Sequence, residues 1–71
     1  MSLTIGEKIK VILNRQGSTI ADLAEKLGQS RQNLTNKLTR DNLSEKEVRE
    51  IADKLGCQYE CIFTLPNGDR I

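Results

Sequence analysis

Start and stop signals along this chain constrain its fold more than any other feature. Thr4-Ile5-Gly6-Glu7, Thr19-Ile20-Ala21-Asp22 and Ser44-Glu45-Lys46-Glu47 each place a hydroxyl three residues ahead of a carboxylate. In such a capping box the hydroxyl accepts an orphan amide of the first helical turn, and the carboxylate accepts the amide of the hydroxyl-bearing residue. Ser30 is a fourth, simpler N-cap. Gly17, Gly28 and Gly56 supply stops, because a helix readily exits through a left-handed residue that glycine adopts without penalty. Four short helices are therefore expected.

The apolar residues agree with that punctuation. Ile5, Ile9, Ile12 and Leu13 share one face of the first helix, and Leu23, Ala24 and Leu27 share one face of the second. Leu34 and Leu38 are the clear inward positions of the third; Val48, Ile51, Ala52 and Leu55 form the stripe of the fourth. Leu43 and Val48 flank the Ser44 cap at the spacing of a hydrophobic staple. Gly6 reads only as a slight weakening of the first turn.

After Gly56 the period changes to two. Cys57, Tyr59, Cys61, Phe63 and Leu65 alternate with Gln58, Glu60, Ile62 and Thr64, and Pro66-Asn67-Gly68-Asp69 is turn chemistry that returns Arg70-Ile71. A strand or hairpin is expected over 57–71, with a fifth short helix over 57–63 as the alternative. The fold class is thus mainly α: a four-helix domain over residues 1–56 followed by a C-terminal β-strand or hairpin.

At 71 residues there is room for one domain with a small core. No apolar run approaches the ~18 residues that cross a bilayer, and the N-terminus lacks a secretory pattern, so a cytoplasmic location is expected. The chain has no histidine and two cysteines. That composition removes Ser-His and Cys-His nucleophile activation and disfavours a structural zinc site, so neither an enzyme nor a metal or cofactor protein is expected, nor is a small-molecule ligand evident. On a strand Cys57 and Cys61 would stand roughly 13 Å apart, too far for a disulfide, and they read as small buried apolar residues.

Net charge is only +1, but it is unevenly spread. Residues 26–40 carry Lys26, Arg31, Lys37 and Arg40 and no acid. One quarter of the chain holds the positive field, which suits a polyanion.

The run Ile20-Ala21-Asp22-Leu23-Ala24-Glu25-Lys26-Leu27-Gly28-Gln29-Ser30-Arg31-Gln32-Asn33-Leu34 resembles the helix-turn-helix of the phage repressor and Cro type, the XRE-type family. Ala24 matches the small residue at the helix crossing, Gly28 the turn glycine, and Leu23, Leu27 and Leu34 the buried positions. With the flanking helices the likeness covers residues 4–56. Gln29 and Lys37 depart from the pattern, standing where the family usually has apolar residues. The resemblance implies a repressor-like fold and sequence-specific binding in the major groove of double-stranded DNA, as a small transcriptional regulator of phage or mobile-element type.

With Leu34 and Leu38 inward, a 100° step per residue sends Gln32, Asn36 and Thr39 outward, flanked by Asn33 and Thr35. Asn and Gln can each donate to and accept from adenine in one bidentate contact, and Arg can pair with guanine. Arg31, Gln32, Asn33, Thr35 and Asn36 are therefore the candidate base-reading residues. Phosphate contacts are expected from Thr19 and Ser30 at helix N-termini, and from Lys37, Arg40 and Asn42 at the far end, with Arg15 within reach. The alternative function is a protein-interaction module, an antitoxin or adaptor on the same fold. A homodimer is expected through the tail, a strand over 58–65 pairing with its two-fold mate; the alternative is that the hairpin folds over the first and fourth helices as a lid.

Overall fold

The computed structural model describes residues 3–71; Met1 and Ser2, on which part of the leader reading rests, lie outside the described residues. Four helices follow in order: α1 (Ile5–Arg15), α2 (Ile20–Leu27), α3 (Arg31–Arg40) and α4 (Glu45–Lys54). Each begins where its hydroxyl cap stands. The Thr4 and Thr19 hydroxyls accept from the amides of Glu7 and Asp22, and those two carboxylates accept the Thr4 and Thr19 amides in return. Ser30 and Ser44 accept from the amides of Asn33 and Glu47. Gly17, Gly28 and Gly56 are all left-handed, as the stop positions require.

The stop of α3 is different. Asp41 takes the left-handed conformation at φ 54° without being glycine, and its carboxylate reaches toward the Gly6 amide at 3.4 Å. Asp and Asn tolerate this conformation better than other side chains. The negative charge also suits the electropositive start of α1.

The core joins all four helices. Ile9 and Leu13 of α1, Leu23 and Ala24 of α2, Leu34 and Leu38 of α3, and Ile51 of α4 with Leu55 at its end form one buried cluster. Leu34 is 0% exposed and sits at its centre. A leucine so placed contributes about 1.5–3 kcal/mol from burial alone. α3 packs against both α1 and α2, and α2 also packs on α4.

Gly6 is a correction to the sequence reading. It is buried, and a Cβ there would overlap the carbonyl oxygen of Leu38. Its role is to bring the α1 backbone against the α3 backbone, a close approach that only glycine permits. At the opposite end of α1, Gln16 Nε2 donates to the Leu55 carbonyl at 3.0 Å and covers an acceptor left free as α4 ends.

The tail is a second correction. Neither the strand expected from residue 57 nor the fifth helix forms. Among the described residues the only β pairing is an isolated antiparallel bridge between Thr64 and Arg70. Phe63 and Ile71 exchange both backbone hydrogen bonds, at 2.7 and 2.9 Å, and the Leu65 amide donates to the Asp69 carbonyl at 2.7 Å. The Asn67 side chain tightens the turn by accepting from the Asp69 amide. The pairing of the two legs runs from Leu65 with Asp69 to Phe63 with Ile71, and residues 57–62 take no part in it. A ladder this short is marginal without a third strand or a covering layer.

Residues 57–62 instead form one wall of a groove whose other wall includes Ile5, Ile12, Val48, Ala52 and Leu55. Cys57 and Tyr59 are half-buried there, and the Arg49 guanidinium stacks 5.8 Å from the Tyr59 ring centre while its nitrogens bind Glu45. Beyond Tyr59 the cover ends. Cys61 is exposed rather than buried, and Phe63 and Ile71 are 70% and 75% exposed. The described residues accordingly span 43 × 24 × 23 Å with a radius of gyration of 13.4 Å, against about 11 Å for a compact chain of this length.

Candidate nucleic-acid interface

The position of α3 fixes the candidate interface. Its two buried leucines, the Gly6 contact and the short turn from α2 hold one side of the helix against the body. The side chains of Arg31, Gln32, Asn33, Asn36 and Arg40 are exposed on the remaining surface, while Thr35 is half-buried at its edge. Arg31, Gln32 and Thr35 line one shallow depression, and Asn33, Asn36, Lys37, Arg40 and Asn42 line another. All five candidate base-reading residues and three of the five candidate phosphate contacts thus lie along one helix and its exit.

The start of α3 is electrostatically unlike the other three. The first turns of α1, α2 and α4 carry Glu7, Asp22, and Glu45 with Glu47, whereas that of α3 carries no acid. Ser30 closes the cap with its hydroxyl alone, accepting from the Asn33 amide at 3.1 Å. The positive end of the helix dipole is left uncompensated beside Arg31.

Thr19 stands in a different setting. Its hydroxyl accepts from Asp22 N, its amide donates to Asp22 Oδ2, and both distances are 3.1 Å. The Ser18 hydroxyl donates to the same carboxylate oxygen. These bonds, the Thr19 amide first, hold the Asp22 carboxyl below its usual range, so the N-terminus of α2 presents a carboxylate where a phosphate was expected. Lys26 lines a depression with Asp22 and Glu25, which dilutes its share of the positive field.

Lys37 is also engaged. Its ammonium donates to Glu47 Oε2 at 2.9 Å, with the two side chains 28% and 32% exposed, and that bond keeps the Glu47 carboxyl low. The pair ties the last turn of α3 to the first turn of α4. This explains how a lysine occupies a position that the helix-turn-helix pattern usually gives to an apolar residue: the charge is neutralised across the helix junction. Arg31 and Arg40 enter no salt bridge among the described residues.

Two residues of this surface escaped the sequence reading. From the sequence Glu47 is only a capping residue, and its link to Lys37 has no local signature. Gln29 accepts from Asn33 Nδ2 at 3.1 Å, a pairing that its four-residue spacing could have suggested.

A family model described as winged helix-turn-helix DNA-binding matches residues 6–66. Repressor protein CI of Enterobacteria phage phi80 is 42% identical over 66 residues, an alignment that covers 93% of this chain and 27% of that protein. The chain therefore spans about a quarter of that relative's length. No solved structure matches it.

Proposed function

Because this chain belongs to the winged helix-turn-helix DNA-binding family and 93% of it aligns with part of a phage repressor, we propose that it regulates transcription by reading a specific operator through α3. The observation that carries this reading is the outward surface of α3, where Arg31, Gln32, Asn33 and Asn36 stand exposed with no acid among them. Exposed helices ordinarily mix acids with bases for solubility. An amide-rich surface offering paired donors and acceptors matches the major-groove edges of adenine and guanine.

α3 lies in the major groove, with Arg31, Gln32, Asn33 and Asn36 at base edges and Thr35 at the side toward thymine methyl groups. Arg40, Asn42 and the amides following Ser30 take the phosphates. Lys37 contributes to the field while bound to Glu47, and Thr19 contributes least because Asp22 already occupies its end of α2. No described helix is long and apolar enough to cross a membrane, and a DNA ligand implies a cytoplasmic site of action.

The regulator acts as a homodimer through the tail, which gives two reading helices about 34 Å apart on successive turns of DNA. Thr64 and Arg70 form a bridge of the type whose own amides and carbonyls face away from each other, so this edge is open to another strand. Ile62, Phe63, Leu65 and Ile71 beside it are exposed. A tail from a second copy would pair with that edge and cover those side chains.

Random-oligonucleotide selection with the purified protein tests the whole reading. A palindromic motif with half-sites one turn apart is the expected result, together with affinity that falls steeply with salt. Sedimentation of the full chain and of a version ending at Gln58 tests the dimer: a full-length monomer at high micromolar concentration overturns it. The protein-interaction alternative gains no support from α3, whose outward surface is polar.

A further inference from the structure

Building on the proposed base-reading role of α3, we infer that Gln29, which lies in the turn and contacts no base itself, sets which base Asn33 prefers. The backbone of Gln29 is fixed, its amide donating to the Ala24 carbonyl at 2.9 Å, and its side chain is half-buried. From that anchored position Oε1 accepts one proton of Asn33 Nδ2 at 3.1 Å. Asn33 is pinned at its other end as well, through its amide and the Ser30 hydroxyl.

A free asparagine carboxamide can turn over and exchange its donor for its acceptor. With Gln29 Oε1 as its acceptor, the Asn33 group turns its nitrogen toward the turn, leaving Oδ1 and the second Nδ2 proton for DNA. That order matches adenine, which offers an amino group to the oxygen and N7 to the remaining proton. Gln29 is thus a positioning residue for specificity, acting through Asn33.

The test compares selected motifs, and then affinities for the four base pairs at each position, for the parent protein, Asn33→Ala, Gln29→Met and Gln29→Glu. Thermal melting confirms that each variant folds. Asn33→Ala is expected to erase the adenine preference at one base pair. Gln29→Met keeps the size of the side chain without the acceptor, and should weaken the preference at that same base pair by about 2- to 12-fold, the span of one net hydrogen bond. Gln29→Glu keeps the acceptor and should retain the preference, even where its charge lowers affinity for every sequence alike.

An unchanged preference in Gln29→Met overturns the tether, as does a change at a different base pair or an equal loss at all positions. If the parent selects a motif to which Asn33→Ala is indifferent, the tether fails while the DNA reading stands. If the parent selects no motif, the DNA reading fails first and the tether falls with it.

Discussion

The helical body and the turn that closes the C-terminal tail both form backbone hydrogen bonds, yet only the body is buried. In the body each helix start has its own side-chain cap, and each helix then turns an apolar stripe onto Leu34 and its neighbours. The tail has a good turn and a closed pair of hydrogen bonds between Phe63 and Ile71, but those side chains face solvent. Local hydrogen bonding sets where an element begins; what covers its apolar side decides whether it persists. A helix satisfies its backbone internally, whereas a strand depends on a neighbour that the described residues do not place beside residues 57–62.

That contrast breaks most sharply at two side chains. Leu34→Ala should lower stability by about 2–5 kcal/mol in urea denaturation, since it empties the centre of the core. Phe63→Ala, measured on the monomer, should stay within about 0.5 kcal/mol. Comparable losses would mean that the tail belongs to the core after all.

Gly6→Ala tests the body through the sign of its effect. If helix propensity ruled, alanine would stabilise by about 1 kcal/mol. The Leu38 carbonyl stands where the new methyl would go, so a loss of about 1–3 kcal/mol is expected instead, again by denaturation.

On the interface the comparison takes another form, because stability and affinity should separate. Gln32→Ala and Asn36→Ala should each weaken binding to a selected site by about 1–3 kcal/mol, with melting temperatures unchanged. Unchanged affinity in both variants would remove the outward surface of α3 as the reading surface.

The smallest effects belong to the charges. Lys37→Met should cost about 0–1 kcal/mol, as expected of a pair still partly in water. Glu7, Asp22 and Glu47 all titrate below their ordinary values, Glu7 and Asp22 chiefly through their cap amides and Glu47 chiefly through Lys37. A depressed carboxylate contributes fully above its unfolded value and loses that contribution as pH falls through the folded one. Stability should therefore be level near neutrality and decline below the usual glutamate value of 4.5, and Lys37→Met should flatten part of that decline.

How much of this was legible in the sequence follows from the range of each interaction. Thr4, Thr19, Ser30 and Ser44 act on residues three positions away, so every helix start could be read directly. The outward residues of α3 followed from Leu34 and Leu38 by rotation. Gly6 against Leu38 and Lys37 against Glu47 join helices whose mutual placement no local pattern reports. Asp41 carried a faint signal, being a residue of left-handed tolerance just past Arg40. The tail misled because alternation describes a strand's preference and leaves out its neighbour: Cys57 and Tyr59 found cover against α1 and α4, and Cys61 did not.

The contact of the α1 backbone on the α3 backbone divides the labour within a single helix. Leu34, Leu38 and the carbonyl pressed toward Gly6 settle where the helix lies and how it is rotated, and none of the exposed amides takes part in that. Arg31, Gln32 and Asn36 are exposed and stand outside that frame, so replacing them should leave it undisturbed. On the proposed reading of DNA by α3, a lineage carrying this frame can follow a drifting operator by single substitutions, each tried on a scaffold that stays folded. Glycine at position 6, buried against the Leu38 carbonyl, is what lets that surface change while the frame stays put.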